Sequence, residues 1–545
     1  MEGARRCSYG RRVQATTPPP PAVPGPPPPG PPPPAGAGAP RRRRVRRTLV
    51  VAGAIALVVA IVGGAVAARW YQGAKVSTVG DLDFANELAI PPLAEPTVAA
   101  DGTKEFDLRF TAGETDLVDA GPSETWGLNG TYLGPTLRAE RGDKVRVNVT
   151  NGVDETTTLH WHGMHLPARM DGGPHQMVDP GDTWSPEWTI DQPAASLWYH
   201  PHLHGETAAQ VYRGAAGMFL VDDPAVAPDL PDTYGVDDIP LVIQDKNFDD
   251  DGSLDSGEPL FNLVGVLGDT IVVNGTTDPH LDVTTERVRF RVLNASNARV
   301  YDLGFTDGRS FALVAGDAGL LEQPHRTDRV QLSPGERAEI VVDMAPGEEA
   351  VLRSFAPDLG VDVIGRFAGG DDTFDILELR AADELAPSPE LPPELATVDA
   401  PDPDDAVTTR SFRLTSDNIN GARMDMDRVD EVVTVDTTEI WEITNSDGLP
   451  HSFHPHLVHF AVLDVDGEEV PAELAGWQDT IYVPPDTTIR IIARFEDHAD
   501  PTTPYMYHCH VLRHEDQGMM AQFVVVEPGD EPDLGGTDGM AGHDH

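Results

Sequence analysis

Val145-Arg146-Val147-Asn148-Val149-Thr150-Asn151 sets an apolar residue at every second position and closes on an asparagine, the pattern of a half-buried strand running into a turn. The pattern returns as Val288-Arg-Phe290-Arg-Val292-Leu-Asn294 and as Glu439-Ile-Trp441-Glu-Ile443-Thr-Asn445. The asparagines stand 143 and 151 residues apart, a spacing that predicts three β domains of similar size. Nine and eleven residues beyond the first Asn are His160 and His162, and beyond the third His454 and His456; the second copy has Leu303 and Phe305 there. The outer copies each carry a later pair, His200 and His202 in Trp-Tyr-His-Pro-His, His508 and His510 in Met-Tyr-His-Cys-His. The middle domain therefore reads as a spacer. A lone buried histidine is usually a satisfied core residue, but four pairs at matched positions are not.

Side chains alternate along a strand, so a His-x-His pair presents both rings to one side. If the outer domains meet, eight imidazoles converge, enough for three metal ions. The same parity puts His451 and Cys509 on the opposite face. His514 and Met519, five and ten residues past Cys509, complete a His₂Cys set with a weak axial Met, the ligands of a blue-copper centre. Cys509 is then a metal ligand, and its covalent neighbours His508 and His510 link it to the cluster. The other cysteine, Cys7, lies ahead of a hydrophobic segment, which argues against a disulfide.

The chain has 545 residues, too many for one core, and its 50 Pro and 52 Gly speak against a helical bundle. Ten Arg and one Glu give residues 1–47 a charge of +9, leaving −59 of the total −50 on the rest. Nucleic acid is thus excluded as a partner of the body, and with only Lys75, Lys104, Lys144 and Lys246 the surface suits high salt. Residues 49–68 are uninterrupted apolar sequence of bilayer length, preceded by an Arg cluster that keeps the amino terminus inside and exports the remainder. Arg46-Arg47-Thr48-Leu49-Val50 resembles a twin-arginine export signal and Ala65-Val66-Ala67 a cleavage site; the long leader favours a retained anchor over secretion.

The motifs His160-Trp-His162-Gly, His200-Pro-His202, His451-Ser-Phe-His454-Pro-His456 and His508-Cys-His510-Val-Leu-Arg-His514-Glu-Asp-Gln-Gly-Met519 resemble the four copper motifs of the multicopper oxidases, over about residues 97–528. The likeness is greatest to laccase-like members related to copper-efflux oxidases, spore-coat laccases and bilirubin oxidases. It implies an all-β fold of three cupredoxin-like Greek-key barrels, expected at 97–224, 237–380 and 406–528. A disordered Pro-rich leader (1–47) and a hydrophobic helix (48–69) should precede them, and an acidic disordered tail (529–545) should follow. It implies four copper ions: type 1 on His451, Cys509, His514 and Met519; type 2 on His160 and His454; a type 3 pair on His162, His200, His202, His456, His508 and His510. Asp171 and Glu515 match the family's proton-delivery carboxylates, and Asp447 is expected near the substrate entrance. The implied partners are O₂ and a small reducing substrate, a phenol, aromatic amine or low-valent metal ion, whose electrons enter through the exposed edge of a type 1 histidine. A monomeric catalytic body is expected. Met424 and Met426 do not make the Met-rich insert of a cuprous oxidase, which favours a laccase. Pro455 and Ser452 depart from the family's usual residues, and Pro455 removes a backbone donor, which a strand tolerates best at an edge.

Other signals are weaker. Asn247 to Glu258 has EF-hand spacing, with Asn at position one and a strand-and-turn context that favour a hairpin. His543 and His545 sit in the solvated tail. His160-Trp-His162-Gly-Met164-His165 approaches a zinc-hydrolase motif, but Met164 replaces the needed Asp and zinc leaves Cys509 and Met519 unexplained. A copper-free interaction scaffold conflicts with the complete ligand set.

Overall fold

The computed structural model describes residues 25, 28–32, 41–257, 263–361 and 365–534. Cys7, Glu258, the tail histidines and most of the leader lie outside them. The helix Arg41–Gly73 contains a 25-residue stretch, Leu49–Gly73, long and apolar enough to cross a membrane. Beyond it the chain is built of strands, with short helices such as Thr207–Tyr212 and Leu512–Asp516.

Each repeated segment forms a strand that pairs in parallel with the opening strand of its own barrel. Lys144–Thr150 lies against Lys104–Val118, Arg287–Asn294 against Asp238–Lys246, and Thr437–Asn445 against Ala406–Thr415. Alternate residues, such as Val145, Val147 and Val149, enter the core. Two sheets enclose each barrel, and three separate apolar clusters fill them. The segment ahead of the first barrel is built into the middle one: Asn86–Glu87 adds a parallel strand beside Pro279–Thr285, and Leu88 enters its core.

The three asparagines close equivalent corners. Asn151 Nδ2 donates to the carbonyls of Glu155 (2.8 Å) and Val178 (2.7 Å) while its Oδ1 accepts from Val153 N. Asn294 does the same with Arg299, Leu332 and Ser296, and Asn445 with Leu449, Val483 and Asp447. One amide thus satisfies three backbone groups where the chain leaves the sheet, which is why the repeat ends in Asn. In the middle barrel Leu303 and Phe305 fill the core at the places where the outer barrels carry histidines.

The site lies where the outer barrels face each other. His160–His162 is an edge strand paired with Ala195–His200, which puts His200 opposite His160. His451–Pro455 pairs with Asp500–Cys509, setting His454 opposite His508 and Phe453 opposite Cys509. The strand His451–Pro455 is internal to its sheet, so the edge that Pro455 suggests is absent. Pro455 is its last residue, beyond the point where pairing to Ile481–Val483 ends, and its missing N–H breaks no ladder there.

Candidate metal centre

The eight paired histidines converge and all are buried. Donor atoms of His160, His162 and His200, of His160, His454 and His456, and of His202, His456 and His508 lie within 4.8 Å of one another in each trio. Most of their outer nitrogens are tied back to the protein. His160 Nδ1 donates to the Asp171 carbonyl (2.9 Å), His200 Nδ1 to that of Pro201 (2.8 Å) and His454 Nδ1 to that of Asp479 (2.7 Å). His456 Nδ1 donates to Asp171 Oδ2 at 2.7 Å. Only His162 is reversed, its Nε2 bonding Thr480 Oγ1 (2.9 Å) and Asp479 Oδ1 (3.1 Å).

These bonds fix each tautomer and leave the other nitrogen as a lone pair directed inward. His160 Nε2, His162 Nδ1, His200 Nε2, His454 Nε2 and both nitrogens of His510 are buried without a partner. His508 Nε2 lies 3.1 Å from His202 Nε2 and 3.4 Å from His456 Nε2. Burial first, then mutual repulsion, holds the proton affinities of His160, His456 and His510 well below the imidazole range, so these rings are neutral. Buried acceptors facing one another cost free energy unless a cation joins them. Neutral imidazoles oriented from behind by carbonyls and carboxylates are what a copper ion requires, so the donor set fits the metal.

The second group lies on the other face of the strand, as the parity of Cys509 requires. Cys509 Sγ is 3.5 Å from His451 Nδ1 and 3.7 Å from His514 Nδ1. Met519 is fully buried in the same core, and its carbonyl accepts from Cys509 N at 3.1 Å. Burial pushes the thiol up, but the two histidines outweigh it and bring it down to about 5, which favours the thiolate that binds metal. The expected exposed histidine edge is not found. His451 and His514 are both buried, because Asp447 Oδ1 covers His451 Nε2 (3.3 Å) and the Leu263 carbonyl accepts from His514 Nε2 (3.0 Å). Asp447 and Leu263 are what reach solvent.

Asp171 and Glu515 are both buried rather than capping a surface turn or facing water. Glu515 stands between His508 Nδ1 (3.1 Å) and His202 Nδ1 (3.4 Å). Burial raises the Asp171 carboxyl well above its ordinary range, and its Oδ1 has no hydrogen-bond partner. His165 does not join the cluster, which removes the zinc-hydrolase grouping of His160, His162 and His165.

Sequence reading missed Arg337, Asp479, Thr480 and Gly335. Arg337 belongs to the middle barrel and is fully buried where all three barrels meet. Its guanidinium donates to both oxygens of Asp479 (2.6 Å each), to the Ser196 carbonyl (2.9 Å) and to the Asp317 carbonyl (2.8 Å). Asp479 in turn orients His162 through its side chain and His454 through its carbonyl. Gly335, at φ 89°, passes under His510, where a Cβ would stand 2.9 Å from the ring. The spacer barrel is therefore the third wall of the centre.

Barrels of this topology, with a histidine cluster at their seam beside a buried His₂Cys group, define the class of copper-binding oxidoreductases built from cupredoxin-type domains. Three sequence models of the multicopper oxidase family match residues 111–226, 249–350 and 390–529. The multicopper oxidase mco of Staphylococcus haemolyticus is 35% identical over 81% of this chain and 93% of its own. The cell division protein FtsP of Yersinia pestis is 38% identical over 74% of this chain and 85% of its own. A solved laccase-like multi-copper oxidase, CueO from an Ochrobactrum species, with oxidase activity towards lignin model compounds and lignosulfonate, superposes with a TM-score of 0.74. It shares 37% identity, over 81% of this chain and all of that one. The chain belongs to the multicopper oxidase family.

Proposed function

We propose that the protein is a laccase-like oxidase that couples four one-electron oxidations of phenols, aromatic amines or low-valent metal ions to the reduction of O₂ to water. The observation that carries the reading is the set of unpartnered imidazole nitrogens facing one another, joined through His508-Cys509-His510 to a His₂Cys group. In this reading His451, Cys509, His514 and Met519 hold one copper, His160 and His454 a second, and His162, His200, His202, His456, His508 and His510 a pair. When bound, copper supplies one-electron redox chemistry at the first site and multi-electron O₂ chemistry at the cluster.

The remaining work falls to the chain. Asp447 presents a carboxylate at the His451 edge, where it meets a reducing substrate and accepts the proton that a phenol releases. Cys509 gives a covalent path from that site to His508 and His510. Asp171, with its raised proton affinity, holds a proton beside the cluster, and the Glu515 carboxylate, against His202 and His508, can pass protons on to it, where water formation consumes four. Residues 49–68 deliver the body outside the cytoplasm as an anchor or export signal, and the catalytic body acts as a monomer.

Copper analysis, blue absorption and a turnover panel of phenols, bilirubin, Cu(I), Fe(II) and Mn(II) under air test the reading. Copper uptake with no turnover on any of these overturns it. The likeness to the cell division protein FtsP favours a second reading, a role in cell division, for which the purified chain would turn over none of these substrates.

A further inference from the structure

A second group of imidazoles bridges the outer barrels away from the cluster. His165 Nδ1 donates to the Leu457 carbonyl at 3.0 Å, and its Nε2 lies 2.8 Å from Asp497 Oδ1. His498 Nε2 approaches the same oxygen at 3.3 Å, with the two rings 4.9 Å apart. His498 holds φ 61°, a left-handed conformation that an L-residue adopts at a cost, with its ring beside the carboxylate. The side chains of His165 and His498 are 16% and 24% exposed and that of Asp497 49%, so the group is formed inside the seam and open at one side.

We propose that His165, Asp497 and His498 form a divalent-cation site, distinct from the copper centres, that takes zinc and staples the first barrel to the third. The Leu457 carbonyl keeps the His165 proton on Nδ1 and turns the Nε2 lone pair to the carboxylate, as backbone carbonyls do for metal-binding histidines. Two imidazoles and one carboxylate are a zinc donor set with the fourth position left to water. Without an ion, burial opposes a second proton on His165 but Asp497 outweighs it, so an arriving cation displaces that proton. A body this acidic draws cations to its surface.

The test is calorimetric titration of the fully copper-loaded full chain with Zn²⁺, with metal analysis after gel filtration. One zinc ion per chain should bind without loss of blue colour and should raise the thermal midpoint. Asp497→Asn keeps the shape and removes the charge; His498→Asn removes the ring with a residue that accepts positive φ. Each should weaken zinc binding by about 10–100-fold and abolish the thermal shift. Equal binding by wild type and both variants, uptake only with displacement of copper, or no uptake by wild type overturns the site.

Discussion

The seam between the outer barrels and the seams made by the middle barrel use the same material, buried ionisable side chains, in opposite ways. At the outer seam, ring nitrogens of His456, His508 and His202 crowd together at 3.1–3.4 Å, and those of His160, His162, His200 and His454 face inward with no partner. In the middle barrel each guanidinium meets carboxylates: Arg291 takes Asp238 and Glu339 and Arg299 takes Asp245 and Asp372 within that barrel, and Arg337 reaches Asp479 of the third. Burial does not separate the two. In the middle networks each charge has an opposite charge beside it, whereas the converging imidazole nitrogens of the outer one are completed only by cations, and that convergence marks the metal centre.

The sharpest break in this comparison comes from Cys509→Ser, which cuts the link between the two groups. Blue absorption should vanish and turnover should fall to background, with copper still present at the cluster by paramagnetic resonance; undiminished oxidation refutes the path. Arg337→Met should cost roughly 3–5 kcal/mol in urea unfolding, because it strands the Asp479 carboxylate in the interior. It should also lower copper occupancy at the cluster while leaving the blue site filled. Loss of stability with a full complement of copper would make Arg337 a structural clamp alone.

Glu339 is held down to about 2 from 4.5; burial opposes this, and Arg289 and Arg291 prevail. Its contribution, about 3 kcal/mol, is complete above pH 4.5 and is lost as pH falls toward 2. Glu339→Gln should therefore be less stable than wild type at pH 7, with the gap closing in acid; a gap independent of pH would rule out the charge as its source. Asp171→Asn should slow O₂-dependent turnover by about 10–100-fold while type 1 reduction under anaerobic conditions keeps its rate. Equal slowing of both would remove Asp171 from the proton route.

Much of the outer seam was legible in the sequence because it is written in short range. Strand parity sorted His454 and His456 from His451, and His508 and His510 from Cys509, and the interval from each asparagine aligned the copies. The middle seam was not legible. Arg337 heads a strand in a barrel without ligands, and Asp479 lies 25 residues past His454 in a loop, so only the docking of three barrels brings them together. The covered edge of the blue-copper group was missed for the same reason, since Leu263 comes from the middle of the chain and reaches His514 across 251 residues. Asp171 and Glu515 were placed by resemblance, and the structure adds what each touches.

The corner asparagines carry a consequence for ageing. Asn151 is followed by Gly152, the dipeptide that most readily cyclises and deamidates in a loose chain. In the closed corner its amide nitrogen is tied to two carbonyls and the cyclisation is held off. The mass of the Asn151 peptide in stored protein is thus a clock for transient opening of the first barrel, and Asn294 and Asn445, followed by Ala and Ser, supply slower clocks for the other two.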